Sequence, residues 1–251
     1  PSRSRLRVVG NYIYENGPLV RRGVQRADVV YTAAKCLIPK AQAIYRLPTP
    51  PIFLPTPIPI PDTVQKAPVP TVCFVGRLDR RKRPELFLKL AERFPDVKFI
   101  AVGASNDREW DRHLHERYGS QPNLEMRGFV DQFRTDELSR ILGASWIIMN
   151  TSAREGLPNS MLEAAAHRCA ILSSVDPDGF AVNFGLHVQD DDFAAGLRQL
   201  IAEDRWRERG QAAWRAVAET FATEPAIDAH VAAYSQLLEQ RANGRRPFRN
   251  N

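Results

Sequence analysis

No apolar run in this chain approaches the roughly 20 residues a helix needs to cross a bilayer, which excludes insertion by a helix. Paired cysteines are lacking too. Cys36, Cys73 and Cys169 lie far apart with no C-x-x-C spacing, and the apolar surroundings of Cys73 and Cys169 are those of buried free thiols, in keeping with a reducing compartment. The absence of G-x-x-x-x-G-K-[ST] removes a P-loop, and the absence of G-x-G-x-x-G removes the dinucleotide fingerprint. No His-Glu-x-x-His or Cys/His cluster occurs, and His113 and His115, two apart on an expected helix, cannot share a face, so no protein metal site is expected. Lys/Arg runs carry no interleaved aromatics, which argues against nucleic acid as a partner. The first residue is Pro1 and no signal-peptide pattern follows it, so the chain is read as part of a longer protein.

What is present suffices for a folded domain. A chain of 251 residues with 43% hydrophobic content buries a sizeable core. Its net charge of +6 is local, because residues 1–50 hold nine Lys/Arg against Glu15 and Asp28. That basic end reads as a solvated helix face, or as a surface for phosphates or anionic membranes. Residues Pro48 to Pro70 contain nine prolines, which favour extended chain over packed structure and read as a linker. Before it, the sequence predicts a helix over Leu19–Ala27, a strand over Asp28–Tyr31 and a helix over Leu37–Tyr45, too few elements for a complete α/β domain.

After it, strands and helices alternate. Strands are expected at Thr71–Val75, Val97–Val102, Leu124–Arg127, Trp146–Asn150 and Ala170–Ser173, with helices at Pro84–Phe94, Arg108–Tyr118, from a Thr135 cap to Ser145, and Pro158–His167. The last 60 residues read as helices only, at Asp192–Glu203, Arg205–Thr220 and Glu224–Gln240, with Trp206, Trp214, Phe221 and Tyr234 as core residues and a frayed tail from Asn243. Nearly continuous apolar strands alternating with helices indicate an α/β, Rossmann-like parallel sheet with helices on both faces, preceded by an incomplete amino-terminal α/β remnant. Ligands of such sheets bind at the carboxyl ends of the strands.

Two strand-to-helix turns carry chemistry. In Gly76-Arg77-Leu78-Asp79-Arg80-Arg81-Lys82-Arg83-Pro84, the glycine permits close approach of a ligand, and Arg77 and Lys82 offer positive charge beside a helix start, a phosphate site in character. In Glu155-Gly156-Leu157-Pro158-Asn159-Ser160, Pro158 suits the first helical turn, which leaves the amides of Asn159, Ser160 and Met161 free for a diphosphate or sugar hydroxyl. Glu163 lies eight residues beyond Glu155, so the two carboxylates can meet opposite ends of an extended ligand. Asp176, Asp178 and the Asp190–Asp192 run read as turn and helix-cap residues rather than as a metal-binding pair.

Gly76-Arg77-Leu78 with Lys82, Arg127-Gly128-Phe129-Val130, and Glu155-Gly156-x-Pro158 with Glu163 fall in an order that resembles the retaining GT-B glycosyltransferases of the glycogen-synthase and sucrose-synthase type. The resemblance implies that Arg77 and Lys82 hold a donor diphosphate, that Glu163 holds ribose hydroxyls and that Glu155 holds sugar hydroxyls. Gly128, Phe129 and Val130 would flank the base, and the Gly156–Ser160 backbone would face diphosphate and sugar. It further implies transfer with retention from a UDP-, GDP- or ADP-sugar, with no cofactor, no required metal and no protein nucleophile. Residues 1–55 would then be a remnant of the acceptor domain, 56–70 the interdomain linker, 71–223 the nucleotide-sugar domain, and 224–242 a helix bracing the first domain. A hexosyl-type transferase is expected, of which this fragment alone is inactive, cytoplasmic or peripheral to the inner membrane face, in cell-wall or polysaccharide synthesis, with a glycan, lipid or small-molecule acceptor. His167-Arg168-Cys169-Ala170 departs from that family's Gly-x-Pro turn, and Thr56-Pro57 from its Asn-Gly. An epimerase sharing the architecture and a non-catalytic nucleotide-sugar-binding domain are the alternative readings.

Overall fold

The computed structural model describes residues 17–243, which form two compact units: one from residues 17–56 with residues 226–243, the other from Pro57–Pro225. The basic segment before residue 17 and the tail expected from Asn243 onward lie outside the described residues, Asn243 itself excepted.

The first unit opens with helix α1 (Pro18–Gln25), where Pro18 takes an initial helical position and costs no hydrogen bond. Strand β1 (Tyr31–Thr32), helix α2 (Leu37–Tyr45) and strand β2 (Ile52–Phe53) follow, and β1 pairs in parallel with β2. The strand expected at Asp28–Tyr31 is thus displaced toward the partner it needs, since two residues of β2 are all that it can pair with. Two-stranded pairing also reaches into the proline-rich stretch, and Leu54 and Ile58 there are buried. Prolines remove donors without preventing the intervening side chains from packing, so this stretch holds more structure than its composition implies.

The second unit is one six-stranded parallel sheet. Its strands are β3 (Thr71–Val75), β4 (Lys98–Val102), β5 (Leu124–Met126), β6 (Ile147–Asn150), β7 (Ala170–Ser173) and β8 (Gly185–His187), in the spatial order β5-β4-β3-β6-β7-β8. Helices α3 (Pro84–Arg93), α4 (Arg108–Tyr118), α5 (Glu137–Ala144) and α6 (Asn159–Ala166) connect the first five strands, and α7 (Phe180–Phe184) leads into β8. Helices α8 (Phe193–Ile201) and α9 (Arg205–Thr220) follow, and α9 packs on α6 and β7. The four residues of β6 and of β7 are all buried, as strands covered on both faces must be.

Differences from the sequence reading have local causes. Thr135 does not cap α5; its hydroxyl bonds Asp131 O at 3.3 Å, and the cap position falls to Asp136. Strand β8 has no counterpart in the sequence reading, hidden by its three-residue length and its edge position. Among the carboxyl-terminal aromatics, Trp206 is buried and stacks on Trp146 at 4.4 Å, and Phe221 is buried. Tyr234 is not core: it lies on the final helix α10 (Thr223–Ala242), is 48% exposed and meets Tyr31 edge-on at 6.0 Å within the first unit. The same helix ties that unit through Arg241 Nη2 to Asp28 at 2.7 Å and His230 Nε2 to Pro55 O at 3.0 Å.

At the amino ends of β3, β6 and β7, Lys66 closes two helices. Its ammonium donates to Ser145 O just past α5, to His167 O just past α6 at 2.8 Å, and to Cys169 Sγ at 3.5 Å. Carbonyls at helix carboxyl ends carry partial negative charge, so one cation satisfies both. Cys73 and Cys169 are buried free thiols whose pKa values burial pushes up.

The opposite, carboxyl ends of β3, β4 and β5 are joined through backbone: Gly76 N donates to Val102 O at 3.0 Å, and Gly103 N to Gly128 O at 2.7 Å. Gly103 has φ +130°, and a Cβ there would stand 2.0 Å from Gly76 O. Gly103→Ala should therefore cost about 3 kcal/mol or more, read as a lowered urea midpoint with unchanged m-value.

Candidate active site

The strand order reverses between β3 and β6, and at the carboxyl ends of those two strands the two turns singled out in the sequence face each other. From β3 the chain passes Gly76, φ +153°, and a one-turn 3-10 helix at Arg80–Lys82 before α3. From β6 it runs through Thr151–Pro158 into α6.

Three hydrogen bonds fasten these loops: Ala153 N to Arg81 O at 3.2 Å, Thr151 Oγ1 to Lys82 O at 2.5 Å, and Arg83 Nε to Thr151 O at 2.7 Å. Arg83 occupies the left-handed region at φ +49°, which costs a non-glycine residue about 1–2 kcal/mol. Its guanidinium, held by Thr151 O and by Asp191 Oδ2 at 2.7 Å, offsets that strain. The result fixes the direction of the preceding residue. Lys82 points across the loops and pairs with Glu155, both side chains half-buried.

Arg77 is more exposed and pairs with Asp79 at 3.1 Å. Asp79 also accepts from Ser105 Oγ at 3.4 Å. Leu78 is buried, with its amide on Ala104 O at 3.2 Å and its carbonyl accepting from Trp110 Nε1 at 2.8 Å. Arg80 lies over the Trp110 ring at 3.8 Å, so its charge is stacked rather than paired with a carboxylate.

At the start of α6, Pro158 is the residue before the helix, in extended conformation, and not its first helical residue. Met161 N donates to Pro158 O at 3.0 Å, so the expected trio of free amides reduces to Asn159 and Ser160, for which no acceptor exists among the described residues. Gly156 and Leu157 are half-buried in the approach to the helix. Glu163 sits one turn further in. Burial raises its pKa, and a hydrogen bond from the side chain of Gln132 works in the opposite direction.

Gln132 belongs to the loop after β5, the same loop as Gly128, Phe129 and Val130. Gly128 has φ +66° with open space around it, Val130 is half-buried, and Phe129 is 79% exposed. The structure thus brings Lys82 to Glu155 and the loop of Phe129 to Glu163, while Arg77 meets only Asp79 among the described charged residues. Thr151, Asp191 and Gln132 were missed by sequence reasoning, and Arg83 was included in the basic turn without a role of its own. Asp191 stood out only as one of three consecutive acids, and nothing in the sequence marked Gln132.

Because the folded pKa of Glu163 is raised, the native state holds its proton over a pH window where the unfolded chain has lost it. Stability from this group is therefore fully present below the unfolded value, about 4.3, and is lost as pH rises through the folded value. Glu163→Gln should match the parent in urea denaturation at pH 4 and exceed it at pH 7.5.

Residues 61–213, more than half of the chain, match the family described as Glycosyl transferases group 1. Among curated proteins no relative matches. Similar solved structures include sucrose-phosphate synthase from Thermosynechococcus elongatus, at 21% identity and TM-score 0.73, over 88% of this chain and 61% of that one. The pneumococcal O-GlcNAc transferase GtfA, solved with UDP and GlcNAc, aligns at 15% identity and TM-score 0.70, over 90% of this chain and 47% of that one. Anabaena HepE, solved with UDP and glucose, aligns at 16% identity and TM-score 0.69, over 87% and 66%. This chain therefore spans about half to two thirds of the length of these proteins, and at such identities the likeness concerns the fold. With the family match resting on the segment that carries both fastened loops, the chain belongs to the group 1 glycosyl transferases.

Proposed function

We propose that this chain holds the donor site of a retaining glycosyltransferase that uses a nucleoside-diphosphate sugar. The observation that carries the reading is the Lys82–Glu155 pair at the switch point of the sheet, with Arg77 beside it.

An arriving diphosphate competes with Glu155 for Lys82. Two phosphates offer the ammonium more negative charge than one carboxylate, so Lys82 turns to the diphosphate and releases Glu155 to accept sugar hydroxyls. Arg77 exchanges Asp79 for the second phosphate in the same way. The amides of Asn159 and Ser160 add donors at a helix start. Departure of the diphosphate from the sugar then proceeds against fixed positive charge, the kind of stabilisation that requires no protein nucleophile. At the other end, Glu163 accepts the ribose hydroxyls while the Gly128–Val130 turn and the exposed Phe129 ring flank the base.

The acceptor is assigned to the part of the architecture that this chain does not span. Cytoplasmic placement, with contact between the basic amino-terminal segment and an anionic membrane surface, accompanies the proposal.

Calorimetric titration of the chain with UDP, GDP and ADP in EDTA tests the reading. One base should bind in preference without added metal. Glu163→Ala and Lys82→Ala should each weaken that binding about 10- to 100-fold, the loss of one charge-assisted hydrogen bond. Equal binding by parent and both variants would sink the assignment. In the longer relatives' architecture, product with inverted anomeric configuration would sink the retaining mechanism.

A further inference from the structure

At the amino ends of the strands, on the far edge of the sheet from the donor site, lies a cavity of about 450 Å³. That is within the range of about 300–1,000 Å³ found for small-molecule sites. Its wall combines the chain entering β3, which includes Gln65 and Lys66, with Ser139, Arg140 and Gly143 of α5 and with His167 at the end of α6.

Gly143 keeps the cavity open. It is buried, is absent from the left-handed glycines, and a Cβ built on it meets nothing within 4 Å. Neither backbone conformation nor crowding calls for glycine, although glycine in a helix costs up to about 1 kcal/mol relative to alanine. The position spends helix stability on empty space.

The charge of the wall has one sign. Lys66 is surrounded by carbonyls and a thiol, so its positive charge faces dipoles and no carboxylate. Arg140 pairs only with Asp136 at 3.2 Å, and both side chains are largely exposed, an ion pair weak enough to exchange. No Asp or Glu lines the cavity among the described residues. His167 Nδ1 contacts Glu163 O at 2.7 Å, and a carbonyl only accepts, so Nδ1 carries the proton. Burial lowers the pKa of His167, so in the neutral ring Nε2 accepts from the Ser139 hydroxyl at 2.8 Å. The ring is thereby fixed as a wall, while Arg140 and the Gln65 amide remain able to turn toward a guest.

We propose that this cavity is a second binding site, for a small oxyanion bearing phosphate or carboxylate groups. Arg140 supplies the forked clamp, Lys66 the fixed positive potential, and the space beside Gly143 the room for the ligand. The site is separate from the two loops that carry Arg77, Lys82 and Glu155.

Calorimetric titration with citrate and with inorganic phosphate, at constant ionic strength in chloride, decides the matter and distinguishes the two kinds of oxyanion. At least one should saturate the parent chain. Gly143→Leu, which fills the space, and Arg140→Gln, which removes the clamp, should each weaken binding at least tenfold. Gly143→Leu should melt no lower than the parent without ligand, so that its loss of binding is not loss of fold. Binding should persist in Lys82→Ala. Saturation of neither anion by the folded parent, equal binding in Gly143→Leu, or loss of binding in Lys82→Ala would each overturn the proposal; the last would place the anion at the donor site instead.

Discussion

Adjacent parallel strands whose chains leave in opposite directions open a crevice between their ends, and here that crevice is spanned by one backbone bond, Ala153 N to Arg81 O, and by two bonds from side chains to backbone, Thr151 Oγ1 to Lys82 O and Arg83 Nε to Thr151 O. Most of the candidate site follows from this fastening. With Lys82 O and Thr151 O both engaged, the lysine backbone is held beside the β6 loop, and its side chain meets Glu155 there. The strained Arg83 conformation is the local cost, and it is borne by the bonds of that same residue to Thr151 and Asp191. A loop held in this way needs little reordering when a ligand arrives, which favours binding by sparing conformational entropy.

The parallel sheet was legible because buried strands are written as apolar runs. Thr71–Val75, Ala170–Ser173 and the helix Arg108–Tyr118 have the limits that the pattern implied. Strand β8 was not legible: Gly185-Leu186-His187 is short, sits at an edge and needs only one partner. The turns around Gly76 and Gly156 could be located from glycine, proline and charge, since those residues have few other uses between a strand and a helix, whereas that around Gly128 was marked only by the family resemblance. Their mutual contacts could not. Lys82 and Glu155 are 73 positions apart, and only strand order makes them neighbours. Gln132 is a polar residue in a polar loop, and its contact with Glu163 depends on where the β5 connection folds back.

The two ends of the sheet use positive charge differently. At the carboxyl ends, Arg77 and Lys82 are each matched with a carboxylate through a single ion pair, while Arg83 is held by both Thr151 O and Asp191. At the amino ends, Lys66 is matched with carbonyl dipoles that it cannot leave without stranding two helix ends. The first arrangement suits groups that must change partners, and the second suits a permanent joint.

The four tryptophans, Trp110, Trp146, Trp206 and Trp214, all fall in the second unit, and two of them stack at 4.4 Å. The first unit instead contributes the edge-on tyrosines Tyr31 and Tyr234. Indole emission on selective excitation thus follows the melting of the sheet-bearing unit alone. The stacked pair also gives that unit an exciton-coupled signature in ultraviolet circular dichroism. The molecule carries its own optical labels, and they divide along the same boundary as its folding.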